Sequence, residues 1–287
     1  MTTTASSALV NVVDGSELCL VRLLADSAAP GSIRPNFIPD CEANIAHSDA
    51  TQLLKTIVAE QGAIAALVSL EEEAVSAISL LAACLDQVED TDSEKMLNEL
   101  ADSIISIATS ADNADSTAKA ISLLATLYNM RSDPTEKVAL LVKMIRLASS
   151  NKSSSLLEAD NSVLGKWMDP TRLVTMLDEW KVTSAGRREL YRAAADGSKK
   201  SSNTKQQFTL LVVETYSKSD IDSSGLDAAK QAAIGAIRDP VSLFVQQRKI
   251  LSLPVIQALE KKDGAFFSFC LIYIFIYIAL FNQFDLT

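Results

Sequence analysis

Asp220, Asp222, Ser224 and Gly225 have the types and spacing of a calcium loop, with oxygen ligands at its first, third and fifth positions and glycine at the sixth. The pattern fails further on. Gln231 occupies the twelfth position, where a bidentate glutamate would give two oxygens, and Asp227 occupies the eighth, where an apolar residue is usual. These residues predict an interhelix turn whose aspartates cap backbone amides. Other chemistry is equally sparse. His47 is the single histidine, in a polar stretch with no serine or cysteine elbow near it, so a hydrolase would lack its base and a surface histidine is expected. The nine glycines form no phosphate loop. Cys19, Cys41, Cys84 and Cys270 lack metal-ligand spacing and read as reduced thiols of a cytoplasmic protein. Asp86, Glu89, Asp90 and Asp92 read as a solvated helix junction, and Trp167 and Trp180 as packing residues beside Leu173 and Leu177. The expectation is a chain that is not an enzyme, with no catalytic, cofactor or metal residues.

The elements that would position these residues are helical. Glycine and proline are scarce, 9 and 7 in 287 residues, and a sheet protein needs turn residues far more often. Charge is uneven: residues 1–110 hold 17 Asp or Glu against 4 Lys or Arg, the remainder 19 against 22. A net charge of −10 disfavours nucleic acid, which needs clustered cations. Lys166, Arg172, Lys181, Arg187, Arg188, Arg192, Lys199 and Lys200 are the exception, read as a solvated face beside Asp178, Glu179 and Glu189.

Apolar spacing gives a short helix at 16–27, and Pro30, Gly31, Pro35 and Pro39 mark a loop. Leu53, Leu54, Ile57, Val58, Ile64 and Leu67 line one face of a helix starting near Ser48. Ser69 with Glu72, Thr91 with Glu94, and Asp133-Pro134 with Glu136 have the spacing of capping boxes. Asp169-Pro170 and Asp239-Pro240 each mark a helix start. Starts near 48, 70, 92, 115, 134, 155, 170 and 184 give paired helices a repeat of about forty residues, the rhythm of a solenoid. Polar linkers fall at 149–155 and 198–204, the second after Gly197, read as a C-cap glycine. The N-terminus has no basic start, and Asp14 and Glu17 interrupt its apolar run, so no signal peptide is expected and the sequon at Asn151 would stay unmodified.

An ordered set of residues then narrows the reading: Trp167, Asp169-Pro170, Trp180, Thr183, Arg187, Leu190-Tyr191, Asp227-Ala228, Ala236, Asp239-Pro240, Phe244, Leu251, Pro254-Val255 and Leu259. In this order they resemble the M-type subunits of eukaryotic translation initiation factor 3, which belong to the PCI family, and residues 123–148 resemble the middle helices of the same subunits. The resemblance implies an all-α fold, a right-handed helical-repeat (TPR/HEAT-like) solenoid leading into an incomplete PCI domain. Its segments would be an N-terminal, partly irregular one at 1–47, the solenoid at 48–197, PCI helices at 203–263 without the winged helix, and a divergent hydrophobic tail at 264–287. It implies a non-catalytic scaffold whose partners are other initiation factor 3 subunits, particularly PCI subunits, and through them the 40S ribosomal subunit. The signalosome and the proteasome lid use the same family.

The tail stands apart. Residues 265–281 (AFFSFCLIYIFIYIALF) carry no charge, and as helix they would span about 25 Å, short of a bilayer core of about 30 Å. They read as foreign sequence from a truncated or alternatively spliced message, with a tail anchor as the alternative, which would make the chain a helical adaptor at a membrane.

Overall fold

The computed structural model describes residues 15–150, 155–158, 164–198, 202–238 and 250–265, together with 267, 268 and 272. All the regular structure among the described residues is helical. The chain divides into two compact units at 156/157.

The first unit holds α1 (Ser16–Ser27), α2 (Phe37–Ala46), α3 (Ala50–Ala59), α4 (Gln61–Ser69), α5 (Ala74–Leu85), α6 (Asp90–Ala111), α7 (Ala114–Met130) and α8 (Pro134–Ser150). Consecutive helices pack against one another, and α5 also lies on α7, α4 on α6 and α1 on α4. Most of these helices turn leucines, isoleucines and alanines inward at spacings of three and four, while α2 buries Phe37 and Cys41, so Leu54, Ile64, Leu81, Leu100, Leu124 and Ile145 are sealed from water. A side chain of that size gives about 1.5–3 kcal/mol on burial, which is what holds these short rods together.

Several local expectations fail in this unit. Pro39 belongs to α2 rather than to the preceding loop; it sits in the first turn, where no helical hydrogen bond needs its nitrogen. The helix expected from Ser48 through Leu67 is two helices, broken at Glu60, whose backbone is extended (φ −93°, ψ 94°). Gly62 explains the break: a Cβ there would lie 2.3 Å from the carbonyl oxygen of Ser32, so an earlier loop presses on the backbone at that point. The box at Ser69 does not form. Ser69 is the last residue of α4, with Oγ donating to the Ala66 carbonyl at 2.8 Å, and α5 starts only after Glu71–Glu73, whose charges suit its positive end. The N-cap of α6 is Glu89, two residues before Thr91.

The second unit carries α10 (Pro170–Glu179), α11 (Ser184–Gly197), α12 (Ser202–Glu214), α13 (Ser223–Arg238) and α14 (Pro254–Lys262), preceded by the single turn α9 (Ser155–Glu158). Helix α12 packs on α10, α11 and α13, and α13 on α14. The linker at 198–204 therefore does not separate compact units; the helices on either side of it pack together. Gly197 is not a left-handed C-cap but the buried last residue of α11, and Ser198 follows as the cap with Oγ donating to the Ala194 carbonyl at 2.8 Å. Asp239-Pro240, Val241, Phe244, the sequon at Asn151, Lys199, Lys200, Cys270 and most of 265–281 lie outside the described residues. No helix of the described residues is long and apolar enough to cross a membrane.

Candidate functional site

The densest polar constellation joins α10, α11 and the turn from α12 to α13. Its foundation is the end of α10. Asp169 caps the start, its carboxylate accepting from the amides of Thr171 (2.9 Å) and Arg172 (3.4 Å), with Pro170 in the first position as predicted. At the far end Lys181 adopts a left-handed backbone (φ 53°), and the amides of Val182 and Lys181 return to the carbonyls of Leu177 (3.1 Å) and Asp178 (3.1 Å). That pair of bonds closes the helix as a Schellman motif, with lysine where glycine is usual. Arg187 completes the closure. Its Nε donates to the Val182 carbonyl at 2.9 Å, Nη2 to the Leu177 carbonyl at 2.9 Å, and Nη1 to the Asp178 carboxylate. A cation at the negative end of a helix is favoured there, and the planar fork satisfies several acceptors at once.

Arg188, the next residue of α11, and Arg192, four positions further, both reach Tyr216. The Arg188 guanidinium lies 3.7 Å from the ring centroid. It donates from Nε to Thr215 Oγ at 3.1 Å, and from Nη2 to the Thr215 carbonyl at 3.2 Å and Asp220 Oδ2 at 2.5 Å. Arg192 donates to the Tyr216 hydroxyl, which donates to Asp222 Oδ1 at 3.2 Å. The Asp222 carboxylate also accepts the Gly225 amide at 2.6 Å, capping α13. A Cβ at Gly225 would stand 2.7 Å from the Tyr216 ring, so glycine lets the aromatic close over the turn. Burial pushes the Tyr216 hydroxyl pKa up, with Arg192 opposing and Asp222 reinforcing. Asp220 is held down at about 2 by its bond from Arg188 and then by Ser217, whose hydroxyl (2.8 Å) and amide (2.7 Å) both donate to it.

The loop that resembles a calcium site is thus a capped turn. Its two aspartates are occupied by guanidinium, hydroxyl and amide donors, and among the described residues no three His, Cys, Asp or Glu side chains converge as ligands. Arg187 and Arg188 correct the solvated-face expectation, with side chains 23% and 12% exposed. Lys166 and Arg172 flank the half-buried Trp167 ring at 5.1 and 5.5 Å. Leu173 and Leu177 are core, whereas Trp180 is only half-buried. His47 is the exposed C-cap of α2, with Nδ1 2.6 Å from the Ala43 carbonyl oxygen.

A second cluster lies in the first unit. Arg131 meets Glu136, Asp86 and Ser93, so Glu136 faces an arginine rather than closing a capping box with Asp133, which caps Thr135 alone at 2.9 Å. Asp86, read as part of a solvated junction, is one anchor of that cluster. Two shallow hollows flank α6, of about 240 and 500 Å³, and Asp102 and Ser103 line both; Asp102 is tied to Lys143. Neither lining holds a histidine or a cysteine.

Chemically, these groups form charge-assisted hydrogen bonds between helices. Tyr216 and Arg131 carry no signal of their own in the sequence. One signal was present: Arg188 and Arg192, spaced i and i+4, must project from one face of α11. No family model matches this chain, and no curated protein or solved structure matches it.

Proposed function

We propose that the chain is a non-catalytic scaffold subunit of the cytoplasmic translation initiation factor 3 complex, supporting preinitiation complex assembly on the small ribosomal subunit. One observation carries most weight: the strongest polar groups of the site, from Arg187 to Asp222, are used to fix helices against one another. A surface built in this way offers ridges and grooves to other helices. The ordered residues of 123–148 and 167–259 supply the assembly by resemblance, and the all-helical elements agree with it. In this reading the partners are other PCI subunits, with the 40S subunit reached through them.

Sedimentation of extract from eukaryotic cells expressing the tagged full chain tests this. The chain should travel with 40S-bound initiation factor 3 and shift to the free complex at high salt. Migration at the monomer position in both conditions contradicts it, and migration with ubiquitin-directed complexes assigns it to the signalosome or proteasome lid. The uncharged run at 265–281 favours a second reading, a tail-anchored adaptor. Carbonate-resistant membrane association that vanishes on deletion of 264–287 would establish it.

A further inference from the structure

The turn between α12 and α13 exposes two hydroxyls beside the Arg188 tie. Ser217, Lys218, Ser219 and Asp220 are all exposed, while Tyr216 beneath them is 3% exposed. The hydroxyls differ in what they do. Ser217 Oγ donates to Asp220 Oδ1 at 2.8 Å, whereas Ser219 Oγ meets only Ser217 Oγ, at 2.9 Å, and no carboxylate. Ser219 is followed by carboxylates at one and three residues beyond, Asp220 and Asp222. That is the pattern an acidic-directed protein kinase selects. We propose that Ser219 is a phosphorylation site and that its phosphate unlatches the α12–α13 turn from α11.

The transfer is redox-neutral. The kinase's base takes the Ser219 hydroxyl proton, Oγ bonds to the γ-phosphorus of ATP, and the bond from that phosphorus to the β-phosphate oxygen breaks as ADP leaves. The product puts close to two negative charges beside Asp220. Ser217 Oγ, already within reach of Ser219, then donates to the phosphate instead of to Asp220. Like charge drives the Asp220 carboxylate away, so the Ser217 amide loses its acceptor and Arg188 Nη2 loses its carboxylate. Arg188 ties α11 to this turn through Thr215, Asp220 and the Tyr216 ring, beside Arg192 on the Tyr216 hydroxyl. The modification therefore acts on a helix-to-helix tie.

The test treats the folded full chain with an acidic-directed serine/threonine kinase and ATP–Mg, maps the phosphate by mass spectrometry, and follows hydrogen exchange of the Ser217 amide. Phosphate on Ser219 with exchange at Ser217 at least tenfold faster, and unchanged exchange around Arg131, is the expected result. Ser219→Glu should reproduce the acceleration, but by less than twofold in a chain already carrying Asp220→Asn, where the acceptor carboxylate is gone. No incorporation, incorporation on Ser217 in place of Ser219, or phosphate on Ser219 with unaltered exchange overturns the proposal.

Discussion

Arg131, just past the end of α7, and Glu136, in the first turn of α8, form a two-point ion pair almost out of water: Nε to Oε2 at 2.8 Å and Nη2 to Oε1 at 3.2 Å, with side chains 11% and 6% exposed. Asp86 adds a third contact at 2.6 Å from the turn after α5. Burial alone would lower the Arg131 pKa, but the Glu136 bond and charge and then Asp86 outweigh it. Removing one member leaves a buried charge unpaired. Arg131→Ala or Glu136→Leu should each cost about 3–5 kcal/mol in urea denaturation, while Arg131→Met with Glu136→Leu together recovers most of the loss. Asp86→Ala, which removes a carboxylate that is itself 61% exposed, should cost about 1 kcal/mol or less.

Gly62 marks the break between α3 and α4, and its role is steric. An added methyl would meet the Ser32 carbonyl oxygen at 2.3 Å and Ile33 Cγ1 at 2.9 Å. Gly62→Ala should therefore cost about 1–3 kcal/mol, read as a lowered Tm, because the loop must retreat. Gly264→Ala, with nothing within 4 Å of the new Cβ, should leave Tm unchanged.

Cys41 and Cys84 are buried thiols whose pKa values are pushed up to about 11 by burial. Both should resist iodoacetamide at pH 8 in the folded chain, while exposed Cys19 reacts; mass mapping after a short pulse distinguishes them. The linkage has a definite sign. Unfolding exposes thiols of ordinary pKa near 8.5, so between about pH 9 and 11 the unfolded chain holds fewer protons and stability falls as pH rises. Cys41→Ala and Cys84→Ala together should flatten that decline.

Asp220 titrates in the opposite sense. Its folded pKa, about 2, lies below the ordinary aspartate range because of Arg188 and then Ser217, so its contribution is present above about pH 4 and is lost as pH falls through 2. A carbon-13 titration of the Asp220 carboxyl should give a midpoint near 2. Arg188→Gln should bring that midpoint back toward the ordinary value.

Helix identity was legible because burial in this chain follows a 3.6-residue period, and the capped starts at Asp133 and Asp169 are local. The break at Glu60 was not, since Leu53 to Leu67 keep one apolar face and the cause is a carbonyl from Ser32, about thirty residues earlier. Capping at Ser69 failed for a related reason: a serine can bond its own helix as readily as start the next. Arg187 and Arg188 read as surface because charge along a helix says nothing of what lies opposite. Their acceptors are a helix end and a turn of the second unit, Leu177 and Asp220, which only folding brings near.

The claim that this chain is held by initiation factor 3 is most directly tested by affinity capture of the tagged full chain from ribonuclease-treated eukaryotic extract, with subunits quantified by mass spectrometry. Near-stoichiometric recovery of initiation factor 3 subunits, its PCI members foremost, is the predicted result. Recovery of signalosome or proteasome-lid subunits instead, or of no initiation factor subunit above a tag-only control, would contradict it.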